Sequence, residues 1–453
     1  MRPRPLSEVA RAVDGRLRGP DTSVTAAVVD SREAGPGSLF FAMAGERHDG
    51  HDFVTDALSR GAAGSVVHRP VSAEPTVEVA DTGRALLALA ADERIRMPDA
   101  TVIGITGANG KTSTKDLAAS ILSTGFLTHA SPGSFNNEIG LPLTLLGVPE
   151  GGEVVLAEMG ARRRGDHAEL CRVARPDAVV VTNIGVAHME VFGSWQAIVE
   201  ASAEPVEALA DVGTAILNAD DADVRDLAQR TRARVVTFGQ TTDADVRADD
   251  VGLDDDGRAG FDLVVGDQRE RAELVVPGEH MVSNALAAAA CGIALGLSAA
   301  ECAAGLKGVG VSRWRMDSFT TEDGVRVVND AYNANPESMA AGLRAARWMA
   351  REGRLAAVLG HMAELGPISA DEHDRLGELV VRLGVDRLVT VGPLARTVAG
   401  AALREGAVPD SVVSVDTPVE AAAVVRAWAR AGDVVLIKGS RVAGLERVAE
   451  ALR

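Results

Sequence analysis

Short runs of β-branched and apolar residues alternate with stretches of helical periodicity along most of the chain. Thr101-Val-Ile-Gly-Ile-Thr106 is one such run, stopped by Gly107; from Lys111 onward the apolar positions Leu117, Ala118, Ile121 and Leu122 return at helical spacing. Similar runs predict strands at 154–158, 178–183, 214–217 and 234–238 with helices between them, and Met281-Val-Ser-Asn-Ala-Leu predicts a helix over 281–296. Residues 239–276 are polar and mixed and predict a β-rich insertion. A second alternation predicts strands at 325–329, 355–360, 386–391 and 433–438, with helices at 337–349 and 371–383. Such alternation predicts parallel sheets covered on both faces. The first hundred residues form a smaller mixed unit. It has an amphipathic helix over 6–13, an extended run Val24–Arg32, and a Pro36-Gly37 turn feeding a strand toward Met43. Arg94–Asp99, with Pro98 ending the helix before it, predicts a linker.

The junction at 106–112 carries the strongest chemical signal. Strand, glycine turn and helix hold a phosphate: glycines let backbone N–H groups close on the anion, and the helix N-terminus adds partial positive charge. In Thr106-Gly-Ala-Asn-Gly-Lys-Thr112, the residues Gly107, Asn109 and Gly110 make the loop. Lys111 would reach the terminal phosphates, the Thr112 hydroxyl would hold magnesium, and Ser113 would open the helix beside them. Ile105 stands where the strict phosphate-loop pattern has its first glycine. The expected fold is therefore α/β in three domains. They are a small α/β N-terminal domain over 1–98, a central P-loop parallel-sheet ATPase domain over 99–310, and a C-terminal Rossmann-like α/β domain over 311–453.

Composition narrows the partners. The 453-residue chain is 46% hydrophobic and 24% charged, which is globular and too long for one ordinary core. Its formal charge of −18 argues against general binding to nucleic acid or to an anionic membrane surface. Cys171, Cys291 and Cys302 have neither pairing number nor zinc-ligand spacing. No apolar run approaches membrane-spanning length, and the start of the chain has no signal-peptide hydrophobic region, so a cytoplasmic monomer is expected.

Four clusters fall at the ends of the predicted central strands, where open α/β sheets bind ligands. The phosphate loop is the first. Ser134-Phe-Asn-Asn-Glu138 gathers Asn136, Asn137 and Glu138 before a Gly-Leu-Pro turn; Glu158 closes the next strand; Asn183 and His188 follow another. Singly, Glu158 reads as a helix-terminal carboxylate and His188 as a satisfied core histidine. Beside Thr112, a hydroxyl, a carboxylate and an imidazole can complete magnesium sites around a triphosphate.

Together with Asn218-Ala-Asp-Asp221 and Asn284-Ala-Leu-Ala-Ala288, these clusters resemble the Mur ligase family, whose members form amide bonds in peptidoglycan precursors. The resemblance extends through Asp30-Ser-Arg32, Asp49-Gly-His51, Asn329–Ser338 and Lys438-Gly-Ser-Arg441, essentially the whole chain. It implies an ATP- and Mg2+-dependent ligase that joins D-alanyl-D-alanine to a UDP-linked muramoyl tripeptide through an acyl phosphate. By position it implies Thr112, Glu158 and His188 on magnesium, with Lys111, Glu158 and His188 carrying the catalysis. Asn284, Arg315 and Asp330 would contact the nucleotide. Ser31, Arg32, Asp49 and His51 would hold the UDP-sugar peptide, and Asn136, Asn137 and Glu138 would meet substrate. Asn333, Asn335, Lys438 and Arg441 would lie on the closing face of the third domain.

Two positions depart from the family. A lysine whose carbamate helps hold the second metal is expected fourteen residues after His188, where this chain has Ser202, with Pro205 just beyond. His361 stands where relatives tend to have an acidic residue. Glu200 and Glu204 share a helix face that points away from Ser202, so either could replace the carbamate only if the helix shifted or kinked. A ligase with a water-completed second metal site and a paralogue joining another acid and amine both stay open. A P-loop kinase or GTPase leaves the additional α/β domain unexplained, and a non-catalytic nucleotide-binding scaffold leaves Lys111, Thr112, Glu158 and His188 together unexplained.

Overall fold

A computed structural model describes residues 1–45, 48–309, 312–351 and 353–453. Glu46 and Arg47, in the polar stretch before Asp49, and the 310/311 junction lie outside the described residues. Three sheets account for the alternation. The central one has nine strands in the spatial order Gln268–Pro277, Arg258–Val265, Val246–Leu253, Arg234–Gly239, Thr214–Asn218, Ala178–Val181, Thr101–Thr106, Val154–Glu158 and Thr128–Ala130. From Arg234–Gly239 to Thr128–Ala130 all neighbours run parallel. The polar insertion is the antiparallel ladder 246–277, which extends this sheet on one side. Thr101–Thr106 has Val154–Glu158 on one side and Ala178–Val181 on the other, so the chain diverges from it in both directions. The crevice at its carboxyl end is where such sheets place ligands.

The third unit is a six-stranded sheet ordered Asp317–Thr320, Arg326–Asp330, Val434–Lys438, Leu355–Leu359, Arg387–Val391 and Val412–Val415, parallel except at its first strand. The first unit is a five-stranded sheet, Arg16–Arg18, Thr76–Glu78, Gly64–Val67, Ser38–Phe41 and Ala26–Val28, also parallel but for its first strand. Thr128–Ala130, Asp317–Thr320 and Val412–Val415 are not anticipated above. Each has only three or four residues at or beside a sheet edge, too few to show a period.

Apolar cores run between units. Leu86, Leu89 and Met97 pack in one cluster with Leu141, Leu145, Val155 and Leu170 of the central layer. The expected linker begins two residues late, because helix Thr82–Ile95 continues through Arg94. That residue is buried and fastens the helix to the central sheet, donating to the Ala174, Met97 and Arg175 carbonyls and to Asp177.

On the other side, helix Pro336–Ala350 is fastened at both ends. Asn335 caps its N-terminus, with Pro336 in the first turn, and the Asn335 amide donates to Asn109 Oδ1 at 2.8 Å. Near the far end, Trp348 Nε1 donates to the Asp254 carbonyl at 3.0 Å, and Arg326 pairs with Asp256 of the same turn at 2.6 Å. Met339, Leu343 and Met349 fill the space between the two units.

Candidate active site

The loop after Thr101–Thr106 is shaped by glycines and held by Asn183. Gly107 has φ +132°, and a Cβ there would lie 2.1 Å from Thr182 Oγ1; at Gly110, φ +83°, it would lie 2.2 Å from Asn284 Oδ1. Only glycine fits either place. Asn183 accepts from the Asn109 N–H at 2.8 Å and donates to its carbonyl at 3.0 Å. Thr182 donates to the same carbonyl at 2.6 Å. Helix Lys111–Leu122 starts at once, so its first-turn N–H groups face the crevice end of the sheet.

Lys111 is half-buried, its ammonium donating to the Gly107 carbonyl at 2.6 Å. Burial pulls it below the ordinary lysine value; Glu158 pulls the other way, and the Arg315 charge adds to the lowering. Thr112 and Glu158 are both buried, and the hydroxyl donates to Glu158 Oε2 at 2.8 Å. Asn136 Nδ2 donates to Oε1 of the same carboxylate at 2.9 Å. A hydroxyl and a carboxylate beside a phosphate loop are hard oxygen donors of the kind magnesium takes, so these residues fit one such ion.

His188 lies apart from that pair. It adopts the left-handed conformation at φ +60°, and its Nδ1 lies against the Glu364 carboxylate of the third unit. The Glu190 N–H donates to the Glu364 carbonyl at 3.1 Å, so two contacts join this segment to the loop containing His361. Burial lowers the His188 value while Glu364 opposes it. Among the described residues no group of three His, Cys, Asp or Glu side chains is arranged to hold a metal.

Helix Trp195–Glu207 passes through Pro205 without interruption. Neither glutamate is free to stand in for a carbamate at Ser202. Glu200 pairs with Arg230, at 3.1 Å to Nη2. Glu204 accepts from the Gly165 and Ala168 N–H groups at 2.7 and 3.1 Å, capping helix Asp166–Ala174. The residues present therefore do not fit the family's second metal position.

His167 explains how the proline is tolerated. Pro205 has no N–H to donate to the carbonyl four residues back, which is Ala201. The buried His167 supplies that donor from Nδ1 at 2.8 Å, which leaves Nε2 to accept from the Thr106 hydroxyl at 2.8 Å. Burial lowers its value, which favours the neutral ring. Replacing His167 by leucine strands the Ala201 carbonyl and should cost about 1–3 kcal/mol. Adding Pro205→Ala, which restores the N–H, should recover part of that loss in denaturant melts. Strictly additive losses would rule the exchange out.

The remaining sites divide. Asp330, Lys438 and Asn333 come together, Lys438 Nζ donating to Asp330 Oδ2 at 2.5 Å and to the Asn333 carbonyl at 3.1 Å. Arg315 lies over the Tyr332 ring at 4.2 Å, and Arg441 over Trp314 at 4.4 Å. Asn284 is buried beneath Gly110, and Ser113 is buried on the phosphate-loop helix. Asn137 accepts from the Gly140 N–H at 2.9 Å, at the start of a helix, while Glu138 is exposed. In the first unit, exposed Arg32 pairs with Asp30, holding its carboxyl down at about 2, and Ser31 is buried beside them. His51 is buried with both ring nitrogens engaged, Nδ1 by Asp49 at 2.6 Å and Nε2 by the His68 N–H at 3.0 Å. It shapes its loop, and Asp49 also meets Arg69 at 3.1 Å. Sequence reasoning passed over Glu364, Tyr332, His167 and Lys115. Tyr332, the one tyrosine of the chain, was the most visible of them.

This fold and loop define an ATP-using ligase built from three α/β units, and comparison with known proteins agrees. Residues 23–105 match the Mur ligase family catalytic domain, 105–292 the Mur ligase middle domain, and 314–441 the Mur ligase glutamate ligase domain. The chain belongs to the Mur ligase family.

Within it, the chain is 42% identical to the UDP-N-acetylmuramoyl-tripeptide--D-alanyl-D-alanine ligase of Mycobacterium tuberculosis, covering 93% of this chain and 91% of that one. It is 34% identical to the Bacillus subtilis ligase of the same name, covering 99% and 98%. A crystal structure of MurF from Acinetobacter baumannii superposes with a TM-score of 0.89 at 31% identity, covering 100% and 99%. The MurF ligase of Thermotoga maritima in complex with ADP gives 0.82 at 29%, covering 95% and 97%.

Proposed function

We infer that the chain is a MurF-type enzyme, an ATP-dependent ligase joining D-alanyl-D-alanine to UDP-N-acetylmuramoyl-tripeptide in peptidoglycan precursor synthesis. The observation that carries this reading is the buried meeting of Thr112 and Glu158 at 2.8 Å, beside Lys111 and the glycine loop. The substrate carboxylate attacks the γ-phosphate, giving an acyl phosphate and releasing ADP. The D-alanyl-D-alanine amine then attacks the acyl carbon, phosphate leaves with the bonding pair, and the amine loses a proton.

Two anions approach each other in the first step, so the work is electrostatic. Lys111 and the N–H groups of the first helical turn take up the phosphate charge. Glu158 and Thr112 would hold one magnesium ion, which supplies charge neutralisation at the phosphates. His188 has the family's ligand position and here leans on Glu364, so its share depends on the third unit being seated. Residues 1–98, with Arg32 and the Asp49–His51 loop, would bind the UDP-sugar peptide; 99–310 would bind ATP; 311–453 would close over both with Asn335, Asp330 and Lys438. Soluble small-molecule substrates suit a cytoplasmic enzyme, and no described helix is long and apolar enough to cross a membrane.

Phosphate release from ATP should require both UDP-N-acetylmuramoyl-tripeptide and D-alanyl-D-alanine and give the pentapeptide by mass. Release with neither dependence, or with only another acid and amine, would overturn the substrate assignment. Ser202 makes a further expectation: the wild-type rate should not respond to bicarbonate. Ser202→Lys should acquire a response, because the uninterrupted helix still presents residue 202 with Glu204 tied elsewhere. A bicarbonate-dependent wild-type enzyme would show that another group carries the carbamate.

A further inference from the structure

Lys115 lies on the phosphate-loop helix one turn beyond Lys111, and the roles assigned above leave it unused. It is 2% exposed. An ammonium has three protons to donate, and a buried one is retained only where they are met. Here Nζ donates to the Ser131 carbonyl at 2.7 Å and the Gly133 carbonyl at 2.5 Å, and lies 3.1 Å from Asp116 Oδ1. The other oxygen of Asp116 accepts both the N–H and the hydroxyl of Ser312, each at 2.7 Å, where the chain enters the third unit.

The two carbonyls belong to a strap, residues 131–136, that reaches Glu158 twice, once at its backbone and once at its carboxylate. Ser131 Oγ accepts from the Glu158 N–H at 3.0 Å, and Asn136 Nδ2 donates to Glu158 Oε1 at 2.9 Å. Midway, the Ser134 hydroxyl meets the Tyr332 hydroxyl of the third unit. The chain of contacts therefore runs from Ser312 through Asp116 and Lys115 to the strap, and from the strap to Glu158.

We propose that Lys115 and Asp116 are positioning residues that couple the seat of the third unit to the strap, and so fix Asn136 and the Glu158 carboxylate for the reaction. The proposal rests on the ligase reading for its kinetic arm only. An apolar isostere, Lys115→Met, should lower kcat about 10- to 100-fold, the usual size of an effect on groups that orient a metal-binding carboxylate. ADP affinity should stay within about threefold, since the Lys115 ammonium bonds to the Ser131 and Gly133 carbonyls and Asp116 rather than to the loop residues 107–112. Lys115→Arg should restore part of the rate. Ser312→Ala, which removes only one hydroxyl, should lower kcat less, and the Lys115→Met/Ser312→Ala double variant should be no slower than Lys115→Met alone.

Hydrogen exchange of the 131–136 amides, measured without substrates, is the second readout. It should speed up in both single variants. Additive rate losses, or wild-type exchange across the strap in Lys115→Met, would overturn the relay. If Lys115→Met does not fold, strap exchange in Ser312→Ala decides alone: unchanged exchange refutes the coupling. Failure of the ligase reading would appear instead as a wild-type enzyme that makes no pentapeptide, and would leave the exchange result standing.

Discussion

With Lys111 replaced by alanine, ligation should fall by about a hundred- to a thousandfold and the protein should stay folded. The size follows from what the ammonium faces. A carboxylate must approach a polyanionic phosphate in a partly buried crevice, where a fixed positive charge acts with little screening. The fold survives because the ammonium's closest contact is the Gly107 carbonyl, a charge-assisted hydrogen bond worth about 1.5–3 kcal/mol net, small against the roughly 5–15 kcal/mol of a folded protein, and alanine is a good first-turn helix residue. Pentapeptide formation and a thermal melt on the same preparation check both halves. A variant keeping more than about a tenth of the activity would remove Lys111 from the chemistry.

Glu158→Gln should lose a comparable factor by a different route. Glutamine has the same shape, and its two ends can keep both neighbours: the carbonyl accepts from Asn136, and the amide donates to the Thr112 hydroxyl. Charge is therefore removed with little change in packing. Manganese binding in the presence of ADP, followed by electron paramagnetic resonance, should weaken along with turnover. Full metal affinity with lost turnover would assign Glu158 a role other than holding the ion, and an active variant would remove it from the site.

The sequence showed the parts that depend on neighbours along the chain. The strand ending at Thr106, the glycine turn and the helix from Lys111 are a local pattern, and Glu158 and Asn183 followed because parallel strands end together at one edge. What stayed hidden depends on contacts far along the chain. Glu364 is 176 residues from the histidine it touches, and Asn335 is 226 from Asn109. The two glutamates show the limit well. Their spacing placed Glu200 and Glu204 on one helix face, but only the fold sends one to Arg230 and the other to the start of a different helix. His167 gave no signal, since its purpose is set by a proline 38 residues away. His51 was placed among substrate contacts, and the fold engages both its nitrogens internally.

Helix Pro336–Ala350 meets the central unit at Asn335 and again at Trp348, about 20 Å apart at helical rise. Of the motions open to the third unit, rotation about the line through those two points, which is the helix itself, disturbs them least. Tilting across it must break a hydrogen bond at one end, whereas turning about it strains neither. The helix is thus an axle. A swing of the third unit about it would part Glu364 from His188 and Tyr332 from Ser134 while the Asn335–Asn109 contact stayed at the pivot, so the far contacts open and the loop keeps its shape.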